Sequence, residues 1–182
     1  MNGDDAKARF ASVVTPHLAD AYALARWLTG DRADAEDVMQ DACLRAFRAI
    51  GGYSGGNARA WVLTIVRHTA YSWLGKNRRG TLVTVDDFEA VEQAQARPGR
   101  SGAEGSGLTP ETELIAKADA ARLQAAIAAL PTPFRETLVL RDIQGLDYRE
   151  IAQVTEVPVG TVMSRLARAR QRLIDTIGMD DK

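Results

Sequence analysis

The chain has 182 residues, a hydrophobic fraction of 46% and a formal net charge of −1, so it has enough apolar material for compact cores but no overall basic excess. The single cysteine, Cys43, excludes an internal disulfide, and the two histidines, His17 and His68, lack metal-ligand spacing, so we expect no metal site and no cofactor. The polar N-terminus is followed by no long apolar stretch, which predicts a cytoplasmic protein without membrane insertion.

The composition predicts an all-α fold of two small helical domains joined by a flexible linker. Helix-forming residues dominate, whereas aromatic residues make up only 6% of the chain. Residues 81–113 concentrate glycine, serine and proline and carry seven acidic against two basic side chains, while residues 1–80 and 114–182 show helical periodicity and a small basic excess. One domain with a long disordered loop is the weaker alternative, because structureless loops beyond about 15 residues are uncommon in compact domains.

The first domain opens with a predicted helical hairpin. Apolar residues recur at helical spacing from Phe10 to Leu28, a break follows at Gly30, and a new helix is predicted over residues 34–50. We expect one face of this helix to enter the core, namely Met39, Ala42, Cys43, Ala46, Phe47 and Ile50. A second face carries Asp37, Gln40, Asp41 and Leu44. From spacing alone, a solvated face is the favoured interpretation of this second set.

The next helix is predicted from Ala58 to Leu74, after the glycine-rich segment GGYSGGN. Trp61, Ile65 and Trp73 are spaced for burial, whereas Arg59, Arg67 and Lys76 are expected on the outside. The helix ends in the basic segment KNRRG. Such an end is either a solvated C-terminus favoured by the helix dipole or a phosphate contact, and the sequence leaves both open.

The second domain contains a predicted helix-turn-helix. Helices are predicted over residues 111–130 and 134–142, then over Tyr148 to Thr155 and Val159 to Ile177, with the turn closed by Pro158. On the last helix an apolar stripe should pack inward: Val162, Leu166, Ala169 and Leu173. Another stripe is polar and basic: Thr161, Ser164, Arg165, Arg168 and Arg172. Residues 159–174 hold four arginines and no acidic residue, which favours a DNA-binding helix over an arginine-rich surface helix.

Three blocks in this order resemble the extracytoplasmic-function sigma factors of the sigma-70 family: DAEDVMQDACLRAF, AWVLTIVRHTAYSWL and LPTPFRETLVLRDIQGLDYREIAQVTEVPVGTVMSRLARARQRL. The resemblance implies that residues 1–80 are sigma region 2, which binds core RNA polymerase and melts the minus-ten promoter element. Residues 114–182 would be region 4, which reads the minus-thirty-five element, with residues 81–113 as the flexible acidic linker. It also implies an anti-sigma partner that holds the protein inactive.

The resemblance assigns site residues to both domains. Asp37, Gln40, Asp41 and Leu44 would contact the β′ clamp coiled coil of the polymerase, whose β subunit is a further expected partner, and this replaces the solvated-face interpretation. Promoter DNA would contact Arg67, His68, Ser72, Lys76, Arg78 and Arg79 in the first domain and the polar stripe of the last helix in the second. His68, Ser72, Met163 and Ala167 depart from residues frequent at these positions in the family, which predicts an unusual promoter sequence.

Other function classes fit the sequence less well. A stand-alone helix-turn-helix regulator would leave the acidic block of the first domain without a role. An adaptor protein would not bind DNA even in the presence of core polymerase. We do not expect an enzyme, because the sequence has no glycine-rich phosphate loop, metal cluster or partnered nucleophile, and Cys43 lies on the stripe expected to pack in the core.

Overall fold

The structure, a computed structural model, describes residues 3–77 and 110–179, with side chains for 3–77 and 118–178. All of the regular secondary structure in these residues is helical, which confirms the all-α prediction. The first four helices are α1 (Gly3–Val13), α2 (Leu18–Thr29), α3 (Arg32–Ala49) and α4 (Ala58–Asn77). The last four are α5 (Pro110–Ala129), α6 (Thr132–Leu138), α7 (Tyr148–Thr155) and α8 (Val159–Met179). Most of the proposed linker, residues 81–113, lies outside the described residues.

The first domain is built on α2, α3 and α4, which pack against one another around buried leucines and alanines. The break between α2 and α3 has a clear local cause. Gly30 ends α2 in the left-handed conformation at φ 79°, and the Asp31 carboxylate accepts hydrogen bonds from the backbone N–H groups of Ala33 and Asp34. These hydrogen bonds lower the pKa of Asp31, and the one from the Asp34 N–H has the larger effect. The helical hairpin predicted from the sequence therefore forms.

The buried face of α3 is rotated relative to the prediction. Its fully buried residues are the small ones and a valine: Ala35, Val38, Ala42 and Ala46. Met39 and Cys43 are only partly buried, and Phe47 is 40% exposed, so the prediction that Phe47 lies in the core is wrong. Phe47 instead packs edge-on against Phe10 of α1, with 5.7 Å between the ring centroids. Small residues at the buried positions let α3 approach its neighbours closely, which leaves the larger side chains on the flank.

The second domain packs α6, a π-helical turn at Val139–Ile143, α7 and α8 around a core that includes Phe134, Leu140 and Ile151. Val162, Leu166 and Ala169 of α8 are buried in this core and Leu173 is partly buried, which confirms the predicted apolar stripe. The three-residue turn between α7 and α8 begins with Glu156 in the left-handed conformation. The chain thus forms the helix-turn-helix expected from its sequence.

A capping box fixes the start of α7. The Asp147 carboxylate accepts hydrogen bonds from the backbone N–H groups of Arg149 and Glu150, each at 2.8 Å, and the Glu150 carboxylate accepts from the Asp147 N–H. We predict that Asp147→Ala lowers the free energy of unfolding by about 1 kcal/mol, because two N–H groups at the helix start lose their acceptor. Denaturant unfolding measures this, with Asp147→Asn as the control that keeps an accepting oxygen. Equal loss in both variants would contradict the capping role.

The two domains pack directly against each other, a relationship that the sequence left open. Helix α4 contacts α7, while α2 contacts α6 and the π-helical turn. We call this packing the closed arrangement. Because α4 is covered by the first domain on one side and by the second on the other, its buried residues surround much of the helix: Ala60, Val62, Leu63, Val66, Thr69, Ala70 and Leu74. Trp61, Ile65 and Trp73 are partly buried at its edges.

Candidate polymerase and nucleic-acid interfaces

The acidic block on α3 forms an exposed face of the first domain. Asp37, Gln40 and Asp41 are exposed, and Leu44 beside them is 55% exposed. Arg45 donates two hydrogen bonds to the Asp41 carboxylate, at 2.8 and 3.1 Å, within the same helix. The four residues predicted for polymerase binding therefore share one accessible surface. An apolar side chain ringed by carboxylates and an amide suits a protein partner with an apolar pocket and basic surroundings.

The first-domain residues predicted to bind DNA lie in different environments along α4. His68, Ser72 and Lys76 are exposed, whereas the Arg67 side chain is only 14% exposed. The expectation that Arg67 lies on the outside of the helix is wrong for the closed arrangement, because the second domain covers this side of α4. The predicted DNA contacts Arg78 and Arg79 lie outside the described residues.

The polar stripe of α8 is likewise divided. Ser164, Arg168 and Arg172 are exposed and Thr161 is half-buried, but the Arg165 side chain is only 9% exposed. The Arg172 guanidinium lies over the Phe134 ring, 5.3 Å from its centroid. Four of the five predicted contacts therefore retain access to solvent, while Arg165 is buried beside Glu136 of α6.

A single buried carboxylate, that of Glu136 on α6, joins the two buried arginines. Arg67 donates from Nε to Oε2 at 2.9 Å and from Nη2 to Oε1 at 3.3 Å, and the Arg165 Nη1 lies 3.7 Å from Oε1. The Arg67 guanidinium also stacks over the Tyr71 ring, 4.6 Å from its centroid. We call these four residues the Glu136 junction. It brings together one predicted DNA contact from each domain and leaves neither free.

The Glu136 junction is electrostatically unusual because its carboxylate is fully buried. Burial raises the pKa of Glu136, while the positive charges of Arg67 and Arg165 act in the opposite direction. Burial also raises the pKa of Tyr71, with the nearby Glu136 charge adding to the effect. A buried carboxylate of this kind depends on its arginine partners, since an unpaired buried charge is strongly destabilising.

Hydrogen bonds at the rim of the closed arrangement add to this junction. Asn57 donates to the Glu150 carboxylate at 2.7 Å, and the His68 Nε2 lies 2.9 Å from the Glu156 Oε2. Arg59 bridges the domains, donating to Asp20 in its own domain and to the Gln144 carbonyl in the other, both at 2.7 Å. Sequence reasoning named His68 and Arg59 but predicted none of these contacts, and it missed Glu136 altogether. The one available signal was an acidic residue, Glu136, inside the apolar run PFRETLVL.

In the described part of the chain, no group of three or more histidine, cysteine, aspartate or glutamate residues is arranged to hold a metal ion. The helices in these same ranges are too short or too polar to cross a membrane. The prominent chemical features of the described residues are the exposed acidic face of α3, the accessible part of the α8 stripe, and the Glu136 junction.

Comparisons with known proteins agree with this two-part architecture. Residues 13–80 match the family model for sigma-70 region 2, and residues 120–173 match the model for sigma-70 region 4. The first match covers α2, α3 and α4, and the second covers the second half of α5, then α6, α7 and α8 as far as Leu173.

Curated relatives are RNA polymerase sigma factors. The chain is 35% identical over 147 residues to the sigma-H factor of Pseudomonas aeruginosa, covering 79% of this chain and 72% of that one. It is 33% identical over 141 residues to the sigma-E factor of Escherichia coli K12, covering 77% and 72%. Against SigE of Mycolicibacterium smegmatis the identity is 32% over 164 residues, and the match spans 90% of this chain but only 59% of that relative.

Solved structures show the same fold. The sigma factor RpoE from Bartonella quintana, crystallised with the anti-sigma factor NepR, matches with a TM-score of 0.65 and 26% identity over 97% of this chain and 98% of that one. CnrH, in complex with the cytosolic domain of CnrY, matches in fold with a TM-score of 0.61. On the combined identity and coverage, the chain belongs to the extracytoplasmic-function family of RNA polymerase sigma factors.

Proposed function

We propose that this protein associates with core RNA polymerase and directs it to specific promoters, acting in the cytoplasm as an initiation factor and not as an enzyme. The observation that carries the proposal is the pairing, within one chain, of an exposed acidic and apolar face on the first domain with an exposed arginine-bearing helix-turn-helix on the second. A stand-alone regulator needs only the second of these surfaces. A factor that links polymerase to DNA needs both.

The face of α3 is the proposed polymerase contact. Asp37, Gln40, Asp41 and Leu44 would bind the β′ clamp coiled coil, with the carboxylates steering association and Leu44 providing a buried apolar contact. Co-elution with purified core RNA polymerase tests this partner directly. A chain that remains separate from core polymerase under low-salt conditions would contradict the proposal.

DNA binding as proposed requires the closed arrangement to open. Arg67 and Arg165 are held by Glu136, so neither guanidinium is available to a phosphate or a base while the domains pack together. The exposed side chains of Lys76 and Arg168 do not have this restriction, whereas His68 contacts Glu156 of the other domain. Binding to polymerase and promoter would therefore favour an open state in which Arg67 and Arg165 leave the Glu136 carboxylate and bind DNA.

We also propose control by an anti-sigma factor. The RpoE of Bartonella quintana, which matches nearly the whole chain, was crystallised with its anti-sigma factor NepR. A partner that binds better to the closed arrangement than to the open one would keep the DNA contacts of both domains hidden.

Arg168 is the exposed arginine best placed for sequence readout on α8. We predict that Arg168→Ala weakens binding to the preferred promoter by about 1–3 kcal/mol, roughly fivefold to 150-fold, if its guanidinium bonds a guanine bidentately. Holoenzyme binding to promoter fragments measures the loss. The matched control is Arg170→Ala, because the Arg170 guanidinium is already paired with Asp142 at 2.6 Å. Equal losses in both variants would show a charge effect and contradict a base contact by Arg168.

A further inference from the structure

Met163 presents a large apolar side chain to solvent on the helix that is proposed to read DNA. It is 53% exposed, and Val159, one turn earlier on α8, is also exposed. Both lie in the first two turns of the helix, next to the tight turn of the helix-turn-helix. In helix-turn-helix proteins this end of the second helix contacts base edges in the major groove. An exposed methionine here therefore lies where a contact with a base is made.

The residues between Met163 and Arg168 on the outer surface of α8 have short side chains. Gly160, Ser164 and Ala167 are all exposed, and a Cβ atom at Gly160 would meet no other atom within 4 Å. Within the described structure there is thus room for a side chain at position 160, and packing does not explain the glycine. The outer surface of the helix is therefore shallow at its centre, with the apolar side chain of Met163 at one edge and the cationic side chain of Arg168 at the other.

The charge of this surface identifies the occupant. Residues 159–174 contain four arginines and no acidic residue, and the guanidinium of Arg168 is exposed at the edge of the shallow surface. This complements the phosphates of a duplex more closely than it does an apolar protein partner. Methionine has no hydrogen-bond donor and only a weak acceptor, so it cannot read the polar edge of a base. Among the bases, thymine alone presents a methyl group in the major groove.

We propose that Met163 is a specificity-determining residue that packs its thioether side chain against the 5-methyl group of a thymine in the upstream promoter element. The flexible, polarisable chain of methionine suits such a contact, and Val159 extends the apolar surface toward the start of the helix. The inference rests on the proposed promoter-binding function and adds the identity of one base. It requires at least one thymine in the element that α8 contacts.

The test removes the methyl group from the DNA and the side chain from the protein. Transcription start sites obtained with core polymerase define the promoter, and each thymine of its upstream element is then replaced in turn by deoxyuridine. With the wild-type holoenzyme, one replacement should weaken binding about fourfold, the effect of one buried methyl-sized group. Met163→Ala should weaken binding to the unmodified promoter by at least the same factor and lose sensitivity at that position. Ile174→Ala, which removes another exposed apolar side chain of α8, should keep the wild-type sensitivity to deoxyuridine at that position.

The outcomes separate this inference from the proposed function. If the wild-type protein gives no start sites with core polymerase, the proposed function itself is wrong. If start sites appear but no deoxyuridine replacement weakens binding, or if wild type and Met163→Ala respond equally at every thymine, Met163 does not read a methyl group. An upstream element without thymine would also overturn the inference. Met163→Leu should retain sensitivity at the same position, because it keeps an apolar side chain there.

Discussion

Glu136→Gln is expected to shift the protein from the closed arrangement toward an open one while each domain keeps its fold. The substitution preserves the size of the side chain but removes the charge that pairs with Arg67 and Arg165. Losing one partner of a buried ion pair costs about 3–5 kcal/mol. Separation of the domains relieves this cost, because it returns the Arg67 guanidinium to water.

The Glu136 junction is also incompletely satisfied in the closed arrangement. Buried Nε and Nη1 atoms of Arg165 have no hydrogen-bond partner within the described structure, although Nη1 lies 3.7 Å from the Glu136 carboxylate. Unsatisfied buried donors lower the stability of the state that contains them. DNA phosphates would offer such donors better acceptors, so we expect promoter DNA to compete with Glu136 for Arg165.

Small-angle scattering, which reports the radius of gyration, measures the opening, and circular dichroism checks that helical content is unchanged. The matched control is Asp142→Ala, which removes an ion-pair carboxylate within the second domain where both side chains are well exposed. We expect a larger radius for Glu136→Gln and an unchanged radius for Asp142→Ala. An unchanged radius for Glu136→Gln together with unchanged stability would show that the junction does not hold the domains together.

Asp41→Arg is expected to weaken association with core polymerase by tenfold or more. The substitution places a cation on the acidic face of α3 beside Arg45, and like charges at an interface cost several kcal/mol. Because Asp41 is exposed, the fold should tolerate the change. Leu44→Asp tests the apolar part of the same face and should give a loss of similar size, since it removes an apolar contact and would bury an unpaired carboxylate in its place.

Titration of labelled protein with core polymerase measures both variants. Asp5→Arg is the matched control, because it reverses an exposed acidic charge on α1 outside the proposed contact. If Asp5→Arg weakens binding as much as Asp41→Arg does, the effect reflects net charge and the α3 face is not the contact. Undiminished binding by Leu44→Asp would also count against this surface.

Local structure could be predicted well from the sequence. The bounds of α7 and the start of α8, predicted on either side of the turn that Pro158 closes, agree with the structure. The apolar stripe of α8 was visible as residues three and four apart. These features depend on interactions within a few residues, which sequence patterns record directly.

The relationship between the domains could not be predicted. Periodicity places Arg67 on the outside of α4, yet a residue 69 positions away, Glu136, accepts its hydrogen bonds. Nothing local distinguishes a solvated arginine from one that meets a carboxylate of another domain. The error over Phe47 has a related cause, since spacing indicates a face of α3 but not which neighbouring helix covers it.

The central claim, that one chain links polymerase to promoter DNA, is tested most directly by in vitro transcription. Purified core RNA polymerase is incubated with fragments of the host genome, with and without this protein, and transcription start sites are mapped. We predict new start sites that share a pair of upstream motifs and disappear with Asp41→Arg. If the protein binds DNA by itself but gives core polymerase no new start sites, the account is contradicted and a stand-alone regulator takes its place.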